Sequence, residues 1–453
     1  MNYILPHLTF RTLKTISFRP KLWVVLILTL FVTSCAKEDS RKTVNADGST
    51  LITYWCSSNP HEIELARRLV DAWNIEHHSV KVKLQPIPAS QSSEEVLLAA
   101  IAGGTTPDVC SNMWPGAMDE FINAGGLVRL DQFDDFFEFN LARVPETLMG
   151  TFAASDGHYY QLPWKTNPIM IMYNTKMFRE AGIDTMPRTY SELLDAGERI
   201  TRDLDGDGQI DQWMGYRNIK PIWWQRFFDY YTFYVAASGG LSLFDGDSLI
   251  FDNEASVEVF ELFRQIYKRG YFPITEFSGD QFVAGKIATS ITGPYSIPHV
   301  ERYKPEGFEY DFFPIPTPDD YTGPVYTYGD HKNISIFSTT YYPQESWEFA
   351  KFLISETADS LLLELTSQIP IRKNITSNPM YANYFANNPG MIIFAEQAIN
   401  TRGVDGASEL KEIFDALSQE FEACCLFDAR TPRESIRLAA QRSQVIIDWN
   451  RAQ

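Results

Sequence analysis

The sequence is poor in cysteine. Only five cysteines occur among 453 residues, and no CxxC pair is present, so a dithiol redox site is excluded. Cys56 and Cys110 each end a predicted strand, and the sequence leaves open whether they form a disulfide or remain two buried thiols. Cys424 and Cys425 are adjacent and have no histidine at metal-ligand spacing.

Positive charge is also scarce. Lysine and arginine total 39 against 58 acidic residues, which gives a net charge of −19 and a pI of about 4.8. A surface this acidic repels a phosphate backbone, so general nucleic-acid binding is not expected. The charge says little about a neutral or cationic ligand.

Signatures of catalysis are missing. The seven histidines form no HExxH pair, and no GxSxG, P-loop or GxGxxG motif occurs. We therefore expect no cofactor, no metal centre and no chemical step. Paired carboxylates of a glycan hydrolase have no fixed local spacing, so a lipid-anchored hydrolase stays as the alternative.

Long hydrophobic runs are absent too. The apolar run at 22–33 has 12 residues, whereas a membrane-spanning helix needs about 20. Four basic residues precede it, and the first 34 residues contain no acidic one, so the order of basic, apolar and small residues is that of a secretory signal. The run ends in the sequence VTSC, which resembles a bacterial lipobox and predicts a lipid anchor on Cys35.

Cleavage before Cys35 would remove four positive charges, so the net charge would change from −19 to −23. We predict a signal peptide at 1–34 and a flexible polar tether at 35–47. The alternative is an uncleaved N-terminal anchor with an incidental cysteine.

The rest of the chain alternates between strand and helix patterns. Leucine, isoleucine and aromatic residues at 51–55 predict a strand, and 62–74 has apolar residues at helical spacing. A strand at 80–87, a helix at 94–102 and a strand at 107–110 follow. This order predicts an α/β fold with parallel strands, whose ligand lies beyond the carboxyl ends of the strands. We also predict a helix at 223–237 and a short helix at 282–286.

Several motifs together resemble the extracellular solute-binding proteins of ABC importers, in the branch that contains maltose-binding protein. Each motif is weak, but their order and spacing are specific over residues 50–375. They are ITYW at 52–55, IAGGTTPDV at 101–109, LPW at 162–164, MYNTKMF at 172–178, PRTYSEL at 187–193, FVAGKIA at 282–288, GPY at 293–295, SWEFAKFL at 346–353 and QIPIR at 368–372.

The resemblance implies two α/β lobes joined by crossing strands, with a ligand cleft between them. It places one lobe at 48–160 plus 328–370 and the other at 161–327 plus 371–453. The chain would cross between the lobes near 158–163, near 326–329 and near Pro370.

Aromatic residues make up 14% of the chain, and ten of them are tryptophans. Trp73 and Trp347 lie on amphipathic patterns and are expected in the core. A sugar ring needs a flat aromatic face and polar groups around its edge. The predicted ligand-binding residues are Trp55, Asn59, Trp114, Trp164, Trp224, Tyr295, Asp330 and Arg372. Glu62 is a further polar candidate.

An acidic turn at 203–211 resembles a calcium loop. Aspartates stand at loop positions 1, 3, 5 and 9 and glycine at position 6, but position 12 is Met214 in place of the usual glutamate. We favour a plain Asp-Gly turn, with calcium binding as the alternative.

These observations predict an exported, lipid-anchored solute-binding protein of the cell envelope. It would take a carbohydrate ligand, close by a hinge motion and deliver the ligand to ABC permease subunits in the membrane. A sensor that docks a membrane receptor is a further alternative, and a sugar phosphate or a polyamine remains open as ligand.

Overall fold

A computed structural model describes residues 44–451 apart from 46, 89–91, 246–247, 405–406 and 408. The predicted signal peptide and the lipidation site Cys35 lie outside the described residues. Within the described part of the chain, no helix combines the length and apolar character needed to cross a bilayer.

Fourteen strands are present among the described residues, most of them short. They are β1 Thr50–Cys56, β2 Val80–Pro86, β3 Val109–Met113, β4 Leu162–Thr166, β5 Met170–Asn174, β6 Trp213–Gly215, β7 Phe244–Asp245, β8 Ser248–Leu249, β9 Ile287–Thr292, β10 Tyr310–Phe313, β11 Thr327–Tyr328, β12 Lys332–Ile336, β13 Ile369–Pro370 and β14 Thr401–Arg402.

Two sheets organise the molecule. The larger has the order β13-β4-β12-β3-β1-β2, and the smaller has the order β10-β5-β9-β6. β1 pairs in parallel with both β2 and β3, as the sequence pattern predicts, whereas β12 joins the sheet antiparallel to β3. The α/β fold class is thus confirmed, with two mixed sheets.

Helices cover the sheets. The α-helices of the described residues are α1 Pro60–Glu76, α2 Ser93–Gly103, α3 Met118–Asn123, α4 Phe136–Arg143, α5 Glu146–Met149, α6 Thr175–Glu180, α7 Tyr190–Ile200, α8 Tyr230–Ala237, α9 Glu254–Lys268, α10 Ile297–Tyr303, α11 Pro343–Phe352, α12 Glu356–Thr366, α13 Ala382–Asn387, α14 Ile392–Gln397, α15 Leu410–Phe421 and α16 Pro432–Arg451.

Two predicted helices are wrong. The segment expected to be one helix over 223–237 is a short 3-10 helix, Trp223–Phe227, followed by α8. The break lies at Asp229, whose buried carboxylate caps α8 by accepting the Tyr230 N–H at 2.6 Å. The segment 282–286 forms turns, and its backbone bends at Gly285 with φ +69°.

Each sheet has its own apolar packing. Trp73 and Trp347 are buried in the core of the larger sheet with 4% and 0% exposure, as predicted. In the smaller sheet both faces of β5 are buried. Its alternate side chains point to opposite sides of the strand and therefore enter two different clusters. Ile171 belongs to the same apolar cluster as the aromatic residues of α8. Met170 and Met172 point to the other face and cluster with residues of α13 and α14.

The chain passes three times between the two sheets, and the first passage is later than expected. β4 pairs in the larger sheet and β5 in the smaller, so this crossing lies at 167–169 instead of near 158–163. The second lies between β10 and β12 and includes β11, which pairs with β14 in a separate two-stranded sheet. After β13 the chain passes to α13 and α14, which pack with residues of the smaller sheet. The exact lobe ranges stay a prediction.

The four cysteines among the described residues are free and buried. Burial and the nearby Glu62 carboxylate raise the pKa of the Cys56 thiol to about 12. Of the two alternatives for Cys56 and Cys110, a disulfide or two buried thiols, the structure has the two buried thiols.

Candidate functional site

A cavity of about 560 Å³ opens between elements of the two sheets. Six of its side chains are aromatic, and its polar groups cluster at two places. The lining residues are Ser92, Ser93, Glu94, Glu95, Trp114, Ile222, Trp223, Trp224, Phe227, Phe228, Tyr328, Asp330 and Lys332.

Trp114 enters the cavity from the carboxyl end of β3. Asn112, two residues earlier, has φ +63°, and the pairing of β3 with β12 shifts register there. Such a bulge turns the strand and changes the direction of the side chains that follow. The Trp114 ring is 9% exposed, and its indole N–H donates to the Tyr328 hydroxyl at 3.3 Å.

The opposite wall is the short helix at Trp223–Phe227. Its Trp223 ring lies 5.5 Å from Trp114 between centroids, so aromatic side chains from the two sheets meet at this point. Trp224 is the most open of them, with 47% exposure. Arg226 fixes the end of this helix through an ion pair of 2.8 Å with the buried Asp229.

Asp330 supplies the polar end of the cavity. Its Oδ1 accepts hydrogen bonds from Lys332 Nζ at 2.7 Å and from the Tyr328 hydroxyl at 3.2 Å. No hydrogen bond to Oδ2 occurs among the described residues, so this acceptor is available to a ligand. Burial and the Asp330 carboxylate together raise the pKa of Tyr328, which keeps the hydroxyl protonated as a donor.

The backbone at Asp330 is strained. Its φ of +39° lies in the left-handed region, which an aspartate adopts at a cost. Strain of this kind persists where surrounding contacts hold the residue, and it is frequent at functional sites. The neighbouring side chain, His331, faces a different cavity of about 680 Å³ on the other side of the crossing strand.

Three of the eight predicted site residues come together in the first cavity: Trp114, Trp224 and Asp330. Tyr295 does not line the cavity, and burial, followed by the Asp330 charge, raises the pKa of its hydroxyl. Trp55 is half-buried on β1 against the core and does not line the cavity.

The other three have structural contacts. Asn59 caps α1, and its Oδ1 accepts the N–H groups of His61 and Glu62. Trp164 is 3% exposed within the core of the larger sheet. Arg372 forms an ion pair of 2.7 Å with the buried Asp359 and lines the 680 Å³ cavity.

Sequence reasoning missed part of the wall, chiefly Phe227, Phe228, Tyr328 and Lys332. The aromatic run 223–234 contained a signal for the first two, but a continuous helix would have turned them to different sides. Tyr328 and Lys332 flank Asp330 at a spacing of two, and all three line the cavity although the backbone at Asp330 is left-handed.

The acidic turn engages its own backbone. Asp203 accepts N–H groups from Gly206 at 2.7 Å and Gly208 at 2.8 Å, and these bonds lower the pKa of its carboxyl. Oxygens of Asp203, Asp205 and Asp211 lie within 4.8 Å of one another. Exposed acidic turns of this kind are common without a metal.

The model of the family "Bacterial extracellular solute-binding protein" matches residues 59–359. The chain belongs to this family. The match spans α1 through α12 and includes both walls of the aromatic cavity, so the cavity lies within the segment that defines the family.

Individual relatives agree with this membership. A maltotriose-binding protein of Pyrococcus abyssi is 24% identical over 347 residues, which cover 74% of this chain and 70% of that protein. The solved sugar-binding protein MalE of Xanthomonas citri superimposes with a TM-score of 0.72 at 20% identity, covering 89% and 98% of the two chains. A cyclic alpha-maltosyl-1,6-maltose binding protein of Arthrobacter globiformis gives 0.73 at 20% identity, with 88% and 99% covered. These two structures establish the two-lobe binding-protein fold.

Proposed function

We propose that this protein is the lipid-anchored, extracytoplasmic binding component of an ABC importer for a sugar or oligosaccharide. It captures the ligand between its lobes, closes around it and presents it to permease subunits. It performs no chemical step of its own.

The single observation that carries the proposal is the aromatic cavity with Asp330 at its end. A pyranose ring has apolar C–H faces and a rim of hydroxyl groups. Trp114 and Trp224 offer flat faces from opposite walls, and Asp330 Oδ2 offers an acceptor for hydroxyl groups. A ligand stacked between these walls would contact both lobes and stabilise their closed arrangement.

The relatives add support from a second direction, because the Pyrococcus protein is named for maltotriose and the Xanthomonas structure for sugar binding. The cavity volume of about 560 Å³ also falls within the range of small-molecule sites, about 300 to 1,000 Å³.

The first test is a thermal-shift screen against a panel of mono- and oligosaccharides. A ligand that binds only the folded state raises the melting temperature, by an amount that grows with the ratio of its concentration to its Kd. Chromatography of the same mixtures after long incubation should return the sugar intact. Appearance of shorter products would favour the glycan hydrolase, and a stabilising polyamine or sugar phosphate without any stabilising sugar would overturn the proposed ligand class.

The second test uses calorimetric titration with the sugar that stabilises most. Removing a stacked aromatic at a binding centre costs about 2 kcal/mol, or roughly thirtyfold in affinity, so Trp224→Ala should weaken binding by that factor. Trp449→Ala is the matched control, because Trp449 is also exposed, at 68%, but lies on α16 outside the cavity. Equal affinities of both variants would contradict the placement of the site.

A further inference from the structure

A buried chain of polar side chains runs through the place where the chain crosses between the sheets. Lys165 Nζ donates to Glu62 Oε1 at 2.7 Å, and Gln368 Nε2 donates to the same oxygen at 2.9 Å. Asn167 Nδ2 in turn donates to Gln368 Oε1 at 3.1 Å. None of the four residues is more than 7% exposed.

Asn167 is the branching point of this chain. The same Nδ2 group also donates to the backbone oxygen of Asp330 at 3.3 Å, and the Asn167 backbone N–H donates to the Gly329 oxygen at 2.5 Å. Asn167 belongs to the first crossing and Asp330 to the second, while Gln368 directly precedes β13, the strand that leads into the third. One carboxamide therefore holds the first two crossing segments beside the start of β13.

The other end of the chain is fixed to the larger sheet and to α1. Glu62 lies in the first turn of α1, and Lys165 is the fourth residue of β4. Burial raises the pKa of the Glu62 carboxyl, but the Lys165 ammonium and the Gln368 amide more than offset it, so the net direction is down. Burial lowers the pKa of the Lys165 ammonium, against the opposing effect of the Glu62 carboxylate. The 2.7 Å contact between the two side chains anchors the crossing segments to one lobe.

Stability alone does not account for the arrangement. Glu62 Oε2 and Asn167 Oδ1 are both buried and find no hydrogen-bond donor among the described residues. An unpaired buried acceptor destabilises the fold, so these two oxygens oppose the stability that the other contacts provide.

We propose that Asn167 is the positioning residue of the hinge, with Glu62, Lys165 and Gln368 as its anchor. Three separate connections could bend independently, whereas one carboxamide that joins the first two to the start of β13, which leads into the third, makes them change together. The lobes then rotate about one axis, and each closure brings Trp114 and Asp330 back to the same position opposite Trp224. The proposal rests on the proposed ligand binding by lobe closure, and it adds the residue that makes closure reproducible.

The test compares Asn167→Leu with Asn140→Leu. Asn140 is the matched control, because it is 0% exposed, donates one amide bond to the Phe136 oxygen at 2.9 Å and also has an unpaired Oδ1, but it lies on α4 away from the crossings. Spin labels at Ile75→Cys and Leu204→Cys, 73% and 64% exposed, report the distance between the lobes in the full chain.

We expect Asn167→Leu to broaden the distance distribution of the ligand-free protein. If the binding-competent arrangement falls to a tenth of its population, the affinity for the selected sugar weakens about tenfold. The melting temperature should fall no further than in Asn140→Leu. If Asn167→Leu does not fold, Gln368→Leu removes the next link of the chain and carries the same expectation.

A distance distribution and an affinity that match the Asn140→Leu control would overturn the proposal. The distance measurement needs no ligand. Wild-type protein that binds no sugar would therefore defeat the proposed function alone, while the spin labels would still decide the role of Asn167.

Discussion

At the scale of single residues, the structure separates aromatic residues that can meet a ligand from those that cannot. Trp114 and Trp164 both follow or occupy extended segments, and the sequence pattern does not distinguish them. The decisive difference is tertiary: β4 lies inside the larger sheet, so Trp164 is covered on both sides. Sequence patterning finds strand ends, but the position of a strand within a sheet depends on long-range pairing.

Arg372 and Asn59 show the same limit for polar residues. Both side chains find partners within the fold, Asp359 for the arginine and helix N–H groups for the asparagine. The capping role of Asn59 could have been predicted, because it stands directly before Pro60 at the start of a helical pattern. The partner of Arg372 could not, because it depends on how α12 packs.

His331 provides a prediction at this scale. Burial lowers the pKa of its imidazole to about 4, although Asp330 opposes the shift. The unfolded chain therefore takes up a proton near its ordinary pKa, about 6.5, that the folded protein does not accept until about pH 4. Above pH 6.5 the folded and unfolded chains both hold a neutral His331, and the free energy of unfolding is unaffected by this residue. As the pH falls towards 4, protonation of the unfolded chain lowers the free energy of unfolding by about 3 kcal/mol in all.

We expect His331→Gln to flatten the dependence of unfolding free energy on pH between 4 and 6.5. Urea unfolding at a series of pH values measures this slope. His78→Gln, at an exposed position, is the control and should retain the wild-type slope. A His331→Gln slope equal to wild type would show that other groups cause the acid sensitivity.

At the scale of elements, long amphipathic segments were predicted well and the aromatic segment was not. Helices α1 and α2 lie within two residues of their predicted ranges, 62–74 and 94–102, because apolar spacing and local helix signals agree in both of them. In 223–237 eleven of the fifteen residues are apolar or aromatic, so the apolar pattern does not mark the position of a break. The break depends on Asp229, whose partners Arg217 and Arg226 could not be inferred from spacing.

Asp229→Asn tests the importance of this break. The asparagine can still cap α8, but Arg226 and Arg217 lose a fully buried counter-ion. Loss of one partner of a buried ion pair costs about 3 to 5 kcal/mol, so we expect the unfolding free energy in urea to fall by that amount.

The control is Asp195→Asn, because Asp195 also pairs with an arginine, Arg199, but is 68% exposed. Its unfolding free energy should change by less than about 1 kcal/mol. Similar values for the two variants would mean that the buried cluster does not hold the Trp223–Phe227 wall in place.

The acidic turn gives a second prediction for an element. Both oxygens of Asp203 already accept backbone N–H groups, and the loop has Met214 where a calcium loop has its bidentate glutamate. We expect the melting temperature to be the same with excess chelator and with millimolar calcium. A rise with calcium that Asp205→Ala abolishes would establish the calcium alternative.

At the scale of the whole molecule, the fold could be predicted further than the site. Motif order predicted two α/β lobes, and family membership together with the solved relatives supports that architecture. The crossing segments were harder to place, because an extended run such as 158–169 has no local mark where it leaves one sheet for the other. Pairing with β12 and β13 decides that question.

The anchoring prediction also belongs to this scale, because it concerns how the folded unit is attached to the cell. The compact unit begins at Val44, nine residues after Cys35, so a lipid on Cys35 would leave only a short polar tether before the fold. Cys35 is followed by polar residues and preceded by a basic, apolar and small-residue order that predicts export and lipid attachment. One acyl chain gives weak, reversible membrane binding, whereas several chains on one cysteine give stable anchoring.

We therefore expect the wild-type protein to enter the detergent phase on phase separation and Cys35→Ala to stay in the aqueous phase. Cys56→Ala is the control, because it removes a cysteine that is buried in the fold and should partition like wild type. Radiolabelled palmitate should appear in the wild type and in Cys56→Ala but not in Cys35→Ala. If Cys35→Ala still partitions with detergent, the apolar run at 22–33 is itself the anchor, and the lipoprotein prediction is wrong.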